Sequence, residues 1–214
     1  YCNAGTCGYY TSGQHGCPSG QTCDSSGQCV TAKVGVGTSG NLDFDYIAGN
    51  FFYPNTIYKN NGSGHFTLSE SSSESDITTS VALGDIDNDG DLDYITGNGS
   101  GPNRVYKNDG SGHFSLSESS ENGSINSVVL GDVDNDGDLD YIAGDSGQQN
   151  RIYKNDGSGH FTLSESSSES NSTFSVALGD VDNDGDLDYI AGNNGQPNTI
   201  YKNNGSGHFT LSES

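Results

Sequence analysis

The chain has 214 residues, of which 29% are apolar and 32 are glycine, with neither Met nor Trp. Glycine-rich sequence of this kind excludes helices as the main architecture and suits short strands joined by many turns. The 29 acidic residues against 7 basic ones give a formal net charge of −22, which excludes nucleic acid as a partner and argues against an anionic membrane surface; no apolar run reaches membrane-spanning length, so no membrane insertion is expected.

Five cysteines, Cys2, Cys7, Cys17, Cys23 and Cys29, open the chain and none follows. This density predicts a disulfide-stapled module over residues 1–32, made outside the cytosol. Zinc is the competing reading, but no CxxC pair is present. An odd count leaves one thiol free or paired with another chain. Cys17-Pro18-Ser19-Gly20-Gln21-Thr22-Cys23, followed by Ser26-Gly27-Gln28-Cys29, resembles small secreted cysteine-rich knots. With its start at Tyr1, the chain reads as a processed, extracellular form.

Residues 33–214 are repetitive, in units of about 33–79, 80–126, 127–174 and 175–214. The phrase Leu83-Gly84-Asp85-Ile86-Asp87-Asn88-Asp89-Gly90-Asp91-Leu92-Asp93-Tyr94-Ile95 recurs at Leu130 to Ile142 and Leu178 to Ile190, at offsets of 47 and 48. A second phrase, ending in Gly-Ser-Gly-His-Phe, begins at Asn55, Asn103, Asn150 and Asn198. Each unit predicts four short strands, in the second unit at Ser80–Leu83, Leu92–Ile95, Arg104–Lys107 and His113–Leu116. Asn108-Asp109-Gly110-Ser111-Gly112 supplies a hairpin turn, because Asn and Gly tolerate positive φ. Tyr94 and Ile95 are neighbours and both large, so both faces of that strand should be covered. The fold class is all-β, with four tandem four-stranded units of propeller-blade or solenoid type.

The acidic residues are concentrated in loops. Asp85, Asp87, Asp89, Asp91 and Asp93 follow D-x-D-x-D-G-x-x-D; Asp132, Asp134, Asp136, Asp138 and Asp140, and Asp180, Asp182, Asp184, Asp186 and Asp188, repeat it. These three loops hold 15 of the 29 acidic residues. Carboxylates at alternate positions of a tight loop converge on one point, the glycine permits the turn, and the carbonyl of Asp91 adds an oxygen. Calcium takes 6–8 hard oxygen ligands, so three Ca²⁺ sites are expected. Flanking strands, and Thr96 where an EF-hand has its bidentate glutamate, exclude the EF-hand. In the first unit Gly37, Ser39 and Asn41 replace the first three aspartates, leaving Asp43 and Asp45, and little or no binding is expected there.

These loops, together with Asn-Arg-Val-Tyr-Lys-Asn-Asp-Gly-Ser-Gly-His-Phe from Asn103, make the repeats resemble the FG-GAP/VCBS family of integrin α-subunit propellers over about 180 residues. The resemblance implies β-propeller blades, calcium in the loop between the first two strands, and roles in adhesion, carbohydrate binding or assembly. Integrin-like propellers have seven blades, whereas this chain has four units.

Smaller signals have plain readings. His65, His113, His160 and His208 sit at the same place in separate units, which favours strand-end packing over a metal cluster. Gly144-Asp145-Ser146-Gly147 imitates a serine-protease signature, but its sibling turns show it to be a turn that happens to hold serine. No nucleophile or acid–base pair stands apart from repeat scaffolding, so the chain is not expected to be an enzyme. Asn61, Asn98, Asn122, Asn171 and Asn204 each begin N-x-S/T and fall in expected turns or linkers, as glycosylation acceptors would. The expected function is a secreted, calcium-rigidified adhesive or structural building block, a homo-oligomer or filament formed through repeat ends. The alternative is a lectin-like propeller with glycans as ligands.

Overall fold

A computed structural model describes residues 45–214, and of residues 1–44 only the backbone of four short strands: β1 (Cys2–Asn3), β2 (Thr6–Cys7), β3 (Gln21–Cys23) and β4 (Cys29–Thr31). The expected disulfides at Cys2, Cys7, Cys17, Cys23 and Cys29, and the degenerate loop from Gly37 to Asp43, lie outside the described residues.

The rest is antiparallel sheet, each built in chain order. The first holds β5 (Tyr46–Ala48), β6 (Thr56–Asn60) and β7 (Phe66–Ser71); the second β8 (Thr78–Gly84), β9 (Asp93–Asn98), β10 (Gly101–Asn108) and β11 (Phe114–Gly123). The third holds β12 (Ile125–Gly131), β13 (Asp140–Asp145), β14 (Arg151–Asn155) and β15 (Phe161–Ser166), and the fourth β16 (Thr173–Gly179), β17 (Asp188–Asn193), β18 (Thr199–Asn203) and β19 (Phe209–Glu213). The first strands of successive sheets approach one another, β8 with β12 and β12 with β16, an arrangement of propeller-like blades.

The strands fall where the sequence places them, and their register explains the core. Tyr94 and Ile95 are both fully buried, as their adjacency requires. Tyr94 pairs across the ladder with Tyr106; the two rings stack at 4.5 Å, and Phe114 meets Tyr94 edge-on at 5.1 Å. The same trio recurs as Tyr46/Tyr58/Phe66, Tyr141/Tyr153/Phe161 and Tyr189/Tyr201/Phe209. Such ring pairs contribute about 0.5–1.5 kcal/mol beyond the area they bury. Each buried trio meets aliphatic side chains of the preceding sheet. Ile47 and Ile57 meet Tyr94, Tyr106 and Phe114; Ile86 and Ile95 meet Tyr141, Tyr153 and Phe161; Val133 and Ile142 meet Tyr189, Tyr201 and Phe209. One hydrophobic cluster therefore seals each junction between consecutive sheets.

The turn between the third and fourth strands works differently from expectation. Gly110 and Gly112 take the positive φ, at 78° and 79°. Asn108 instead accepts through Oδ1 from the N–H groups of both glycines, at 3.2 and 3.0 Å. Leu116 is exposed although Phe114, two residues earlier, is buried.

Candidate metal centre

Each acidic loop joins the first two strands of its sheet and is shaped by backbone geometry the residue types permit. Asn88, Asn135 and Asn183 take positive φ of 59°, 61° and 62°, and Gly90, Gly137 and Gly185 of 92°, 97° and 97°. Asparagine and glycine are the residues that enter this region at least cost. The loop is then closed by its own carboxylates. Asp85 Oδ2 accepts the Gly90 N–H at 3.0 Å, and Asp132 and Asp180 repeat the bond with Gly137 and Gly185. Asp89 Oδ1 accepts the Asp91 N–H at 2.9 Å.

The last aspartate anchors the loop to the sheet. Asp93 is fully buried at the start of β9, with Oδ2 accepting from Ile86 N–H at 3.0 Å and Oδ1 from Asn108 N–H at 2.8 Å. Asp140 and Asp188 make the same pairs, with Val133 and Asn155 and with Val181 and Asn203. Burial pushes the Asp93 and Asp140 carboxyls up to about 6, against the lowering by these N–H donors, and the neighbouring aspartates add to the rise.

Three carboxylates converge in each loop. Asp85, Asp87 and Asp93 place oxygens within 4.8 Å of one another, as do Asp132, Asp134 and Asp136, and Asp180, Asp182 and Asp188. Two like charges near a surface repel by about 4 kcal/mol at 4 Å and an effective dielectric constant of about 20. One lysine offsets part of this: Lys107, Lys154 and Lys202 approach Asp87, Asp134 and Asp182 at 3.1, 2.9 and 3.2 Å. The sequence reading missed these lysines, although their invariant place after Tyr in the second repeated phrase was a signal. A cation fits what remains. Asp85 Oδ1, Asp87 Oδ1 and Asp134 Oδ1 are buried with no hydrogen-bond partner among the described residues, and every donor atom is a hard oxygen. Bound there, a divalent ion would neutralise the mutual repulsion and cross-link the loop.

Asp91, Asp138 and Asp186 do not join these clusters. Their side chains face the turn between the third and fourth strands, so closely that a methyl group on Gly110, Gly157 or Gly205 would meet the carboxylate at 2.6 Å. Asp138 and Asp186 accept there from Asn88 and Asn135 of the preceding sheet, at 2.7 and 2.8 Å. The geometry leaves them only their backbone to offer a cation. In the first sheet, Asp45 Oδ1 accepts the Asn60 N–H at 2.8 Å, the anchoring half of the pattern.

The other singled-out residues are placed as follows. His113, His160 and His208 lie on separate sheets, and each reaches a glutamate of the preceding one: Glu70, Glu118 and Glu165 at 2.8, 3.2 and 3.1 Å. Ser146 Oγ lies 3.4 Å from Ser172 Oγ. Asn61, Asn122 and Asn204 are exposed and Asn171 is half-buried, whereas Asn98 is fully buried at the end of β9. Its amide donates to the Pro102 carbonyl at 2.7 Å and its Oδ1 accepts from Thr78 Oγ1 at 3.0 Å. Asn98 is therefore no turn residue and has no room for a glycan in the folded chain.

A family model described as FG-GAP-like repeat matches residues 39–96, 90–143 and 132–191. The chain belongs to the FG-GAP-like repeat family. Its acidic loops fall inside these matched segments. Among solved structures, the FG-GAP-like chain is similar to one in the crystal structure of BBS1N in complex with ARL6DN, soaked with lead, at 12% identity and a TM-score of 0.57. That match covers 82% of this chain and 52% of the other, so the chain spans about half its length; at this identity the likeness speaks to fold alone. No curated protein matches the sequence.

Proposed function

We propose that the chain is a secreted, calcium-stabilised building block whose repeat ends join copies head to tail in an extracellular fibre or matrix. The observation that carries this reading is the contrast between inner and terminal faces. Ile95 and Ile142 are fully buried against the next sheet, but the equivalent Ile190 is 38% exposed, and Val181, equivalent to Ile86 and Val133, is 40% exposed. On the first described sheet Tyr46 and Phe66 are 43% and 40% exposed, where their equivalents on later sheets are buried.

Polar contacts follow the same pattern. Lys59 donates to the Ser111 carbonyl of the next sheet at 3.0 Å, and Lys154 to that of Ser206 at 2.7 Å. Lys202, on the fourth sheet, meets only Asp182 of its own loop among the described residues. A second copy placed as the next repeat would bury Ile190 and Val181 against its Tyr46 and Phe66. This is a heterologous contact, which propagates. Calcium is the cation of choice because each loop converges several carboxylates and offers only hard oxygens.

Light scattering of the full chain, with calcium and then with chelator, tests this reading. Growth with concentration in calcium, abolished by Ile190→Arg, is the expected result. A compact monomer at high concentration in calcium would sink the proposal.

A further inference from the structure

The linker between sheets is one residue shorter after the second sheet than after the first or third. Ser72, Ser120 and Ser167 are equivalent: each hydroxyl accepts the N–H of Asn55, Asn103 or Asn150, at 3.0, 3.1 and 2.9 Å. Thr78, Ile125 and Thr173 are equivalent as the first residues of β8, β12 and β16. The steps from one to the other are 6, 5 and 6 positions.

In the two longer linkers a glutamate turns back into the junction between sheets. Glu74 Oε2 accepts the Tyr106 O–H at 2.8 Å, and Glu169 Oε2 accepts the Tyr201 O–H at 2.5 Å. In the shorter linker Glu121 follows directly on Ser120 and is exposed. Tyr153, the counterpart of Tyr106 and Tyr201, is left with a buried hydroxyl that has no partner among the described residues, and Asn103 Nδ2 of the same junction is likewise buried and unpartnered among them. At the matching place in this junction there is a cavity of about 190 Å³, bounded by Asn103, Glu118, Glu121, Tyr141, Tyr153 and Phe161; Glu121 borders it from the exposed linker without bonding the Tyr153 hydroxyl.

We propose that this cavity binds a small carboxylate, seated as Glu74 and Glu169 are in the sibling junctions. Both unpartnered groups can donate, so an acceptor suits both, and the protein meets the hydroxyls that match Tyr153 with carboxylate oxygens. The rings of Tyr141 and Phe161 cover a short carbon chain, and the volume equals that of about six waters. Glu118 does not supply the acceptor, since Oε2 already takes the Phe161 N–H at 3.1 Å and His160 Nδ1 at 3.2 Å. Nor does it forbid a second carboxylate: Glu70 makes the same contacts with Phe114 and His113 while Glu74 occupies the junction. Burial works against the charge of Glu74, yet hydrogen bonds from Ser73 and Tyr106 hold its carboxyl below the usual range. Arg151 lies against the short linker, donating to the Asn122 carbonyl at 3.4 Å while its charge is paired with Asp145 at 3.7 Å.

Saturation-transfer NMR on the full chain with acetate, propionate and succinate as probes, and with methyl glucoside and ethylammonium as controls, tests the site. Carboxylate signals are expected, with affinity lowered at least tenfold in Tyr153→Phe and unchanged in Tyr106→Phe. A second variant guards against misfolding: one serine inserted after Ser120 restores the sibling length, lets the glutamate reach Tyr153, and should abolish binding while raising the melting temperature. The proposal is overturned if no carboxylate binds, if methyl glucoside or ethylammonium binds in its place, or if the insertion leaves carboxylate binding intact.

Discussion

Asn88 Nδ2 lies 2.7 Å from Asp138 Oδ1, so the acidic loop of the second sheet is tied to the loop of the third. Asn135 and Asp186 repeat the tie at 2.8 Å between the third and the fourth. Both asparagines sit at positive φ inside their loops, where a bound cation would fix the backbone that aims them. Ordering one loop therefore prepays part of the cost of ordering the next. Calcium titrations by calorimetry should show positive cooperativity, with the Hill coefficient falling toward one in an Asn88→Ala, Asn135→Ala double variant.

Metal removal should cost stability in proportion to loop occupancy. A site saturated at about 1,000 times its dissociation constant adds about 4 kcal/mol to the folded state. Scanning calorimetry should show a large fall in melting temperature with chelator, and a smaller fall in Asp134→Asn, which keeps the other two loops intact. An unchanged melting curve with chelator would refute a stabilising ion.

The pH dependence should reverse in sign with metal. In the metal-free chain Asp93 and Asp140 have carboxyls at about 6, above the ordinary unfolded value of about 3.9. Between these values the folded state holds more protons, so stability falls as pH rises from 4 to 6. With metal present, protons compete for the same oxygens and stability should rise over that range. Thermal melts at pH 4.5 and 6.5, with and without calcium, read both slopes; Asp140→Asn should flatten the metal-free one.

Glycine at the end of the first strand separates inner from terminal sheets. A methyl group on Gly84 would meet Leu139 Cδ1 at 2.5 Å, and one on Gly131 would meet Leu178 Cδ1 at 2.5 Å, while one on Gly179 would meet none of the described residues within 4 Å. Gly84→Ala and Gly131→Ala should each destabilise by about 1–3 kcal/mol, the usual cost of overpacking. Gly179→Ala should be neutral in the monomer and should weaken assembly, as denaturant melts and light scattering would show.

Glycan mapping by peptide mass spectrometry, on chain secreted from a glycosylating host, should find occupancy at Asn61, Asn122 or Asn204. Asn98 should be unmodified, since its amide is enclosed by Thr78, Thr96 and Pro102.

Much of this organisation was legible in the sequence because it is written several times. Recurrence fixed the strands, and the spacing of Asp85, Asp87 and Asp93 announced convergent carboxylates. What stayed hidden depends on register or on neighbours. Asn98 reads as a sequon locally, but pairing with Thr78 across β8 and β9 buries it. Asp91 has the same spacing as its neighbours, yet its direction is set by a turn almost twenty residues away. The missing linker residue before Ile125 is visible by counting, but its effect appears only beside Tyr153, in another sheet.

The stacked tyrosines have an optical consequence. The chain lacks tryptophan, so its near-ultraviolet aromatic signal comes from tyrosine, with minor phenylalanine bands. Tyr94 with Tyr106, Tyr141 with Tyr153 and Tyr189 with Tyr201 are held nearly parallel at 4.4–4.5 Å, close enough for their transitions to couple. Each sheet thus carries its own chromophore pair, placed against the neighbour that buries it. Replacing one pair at a time with phenylalanine would turn circular dichroism into a sheet-by-sheet record of the order in which the array comes apart.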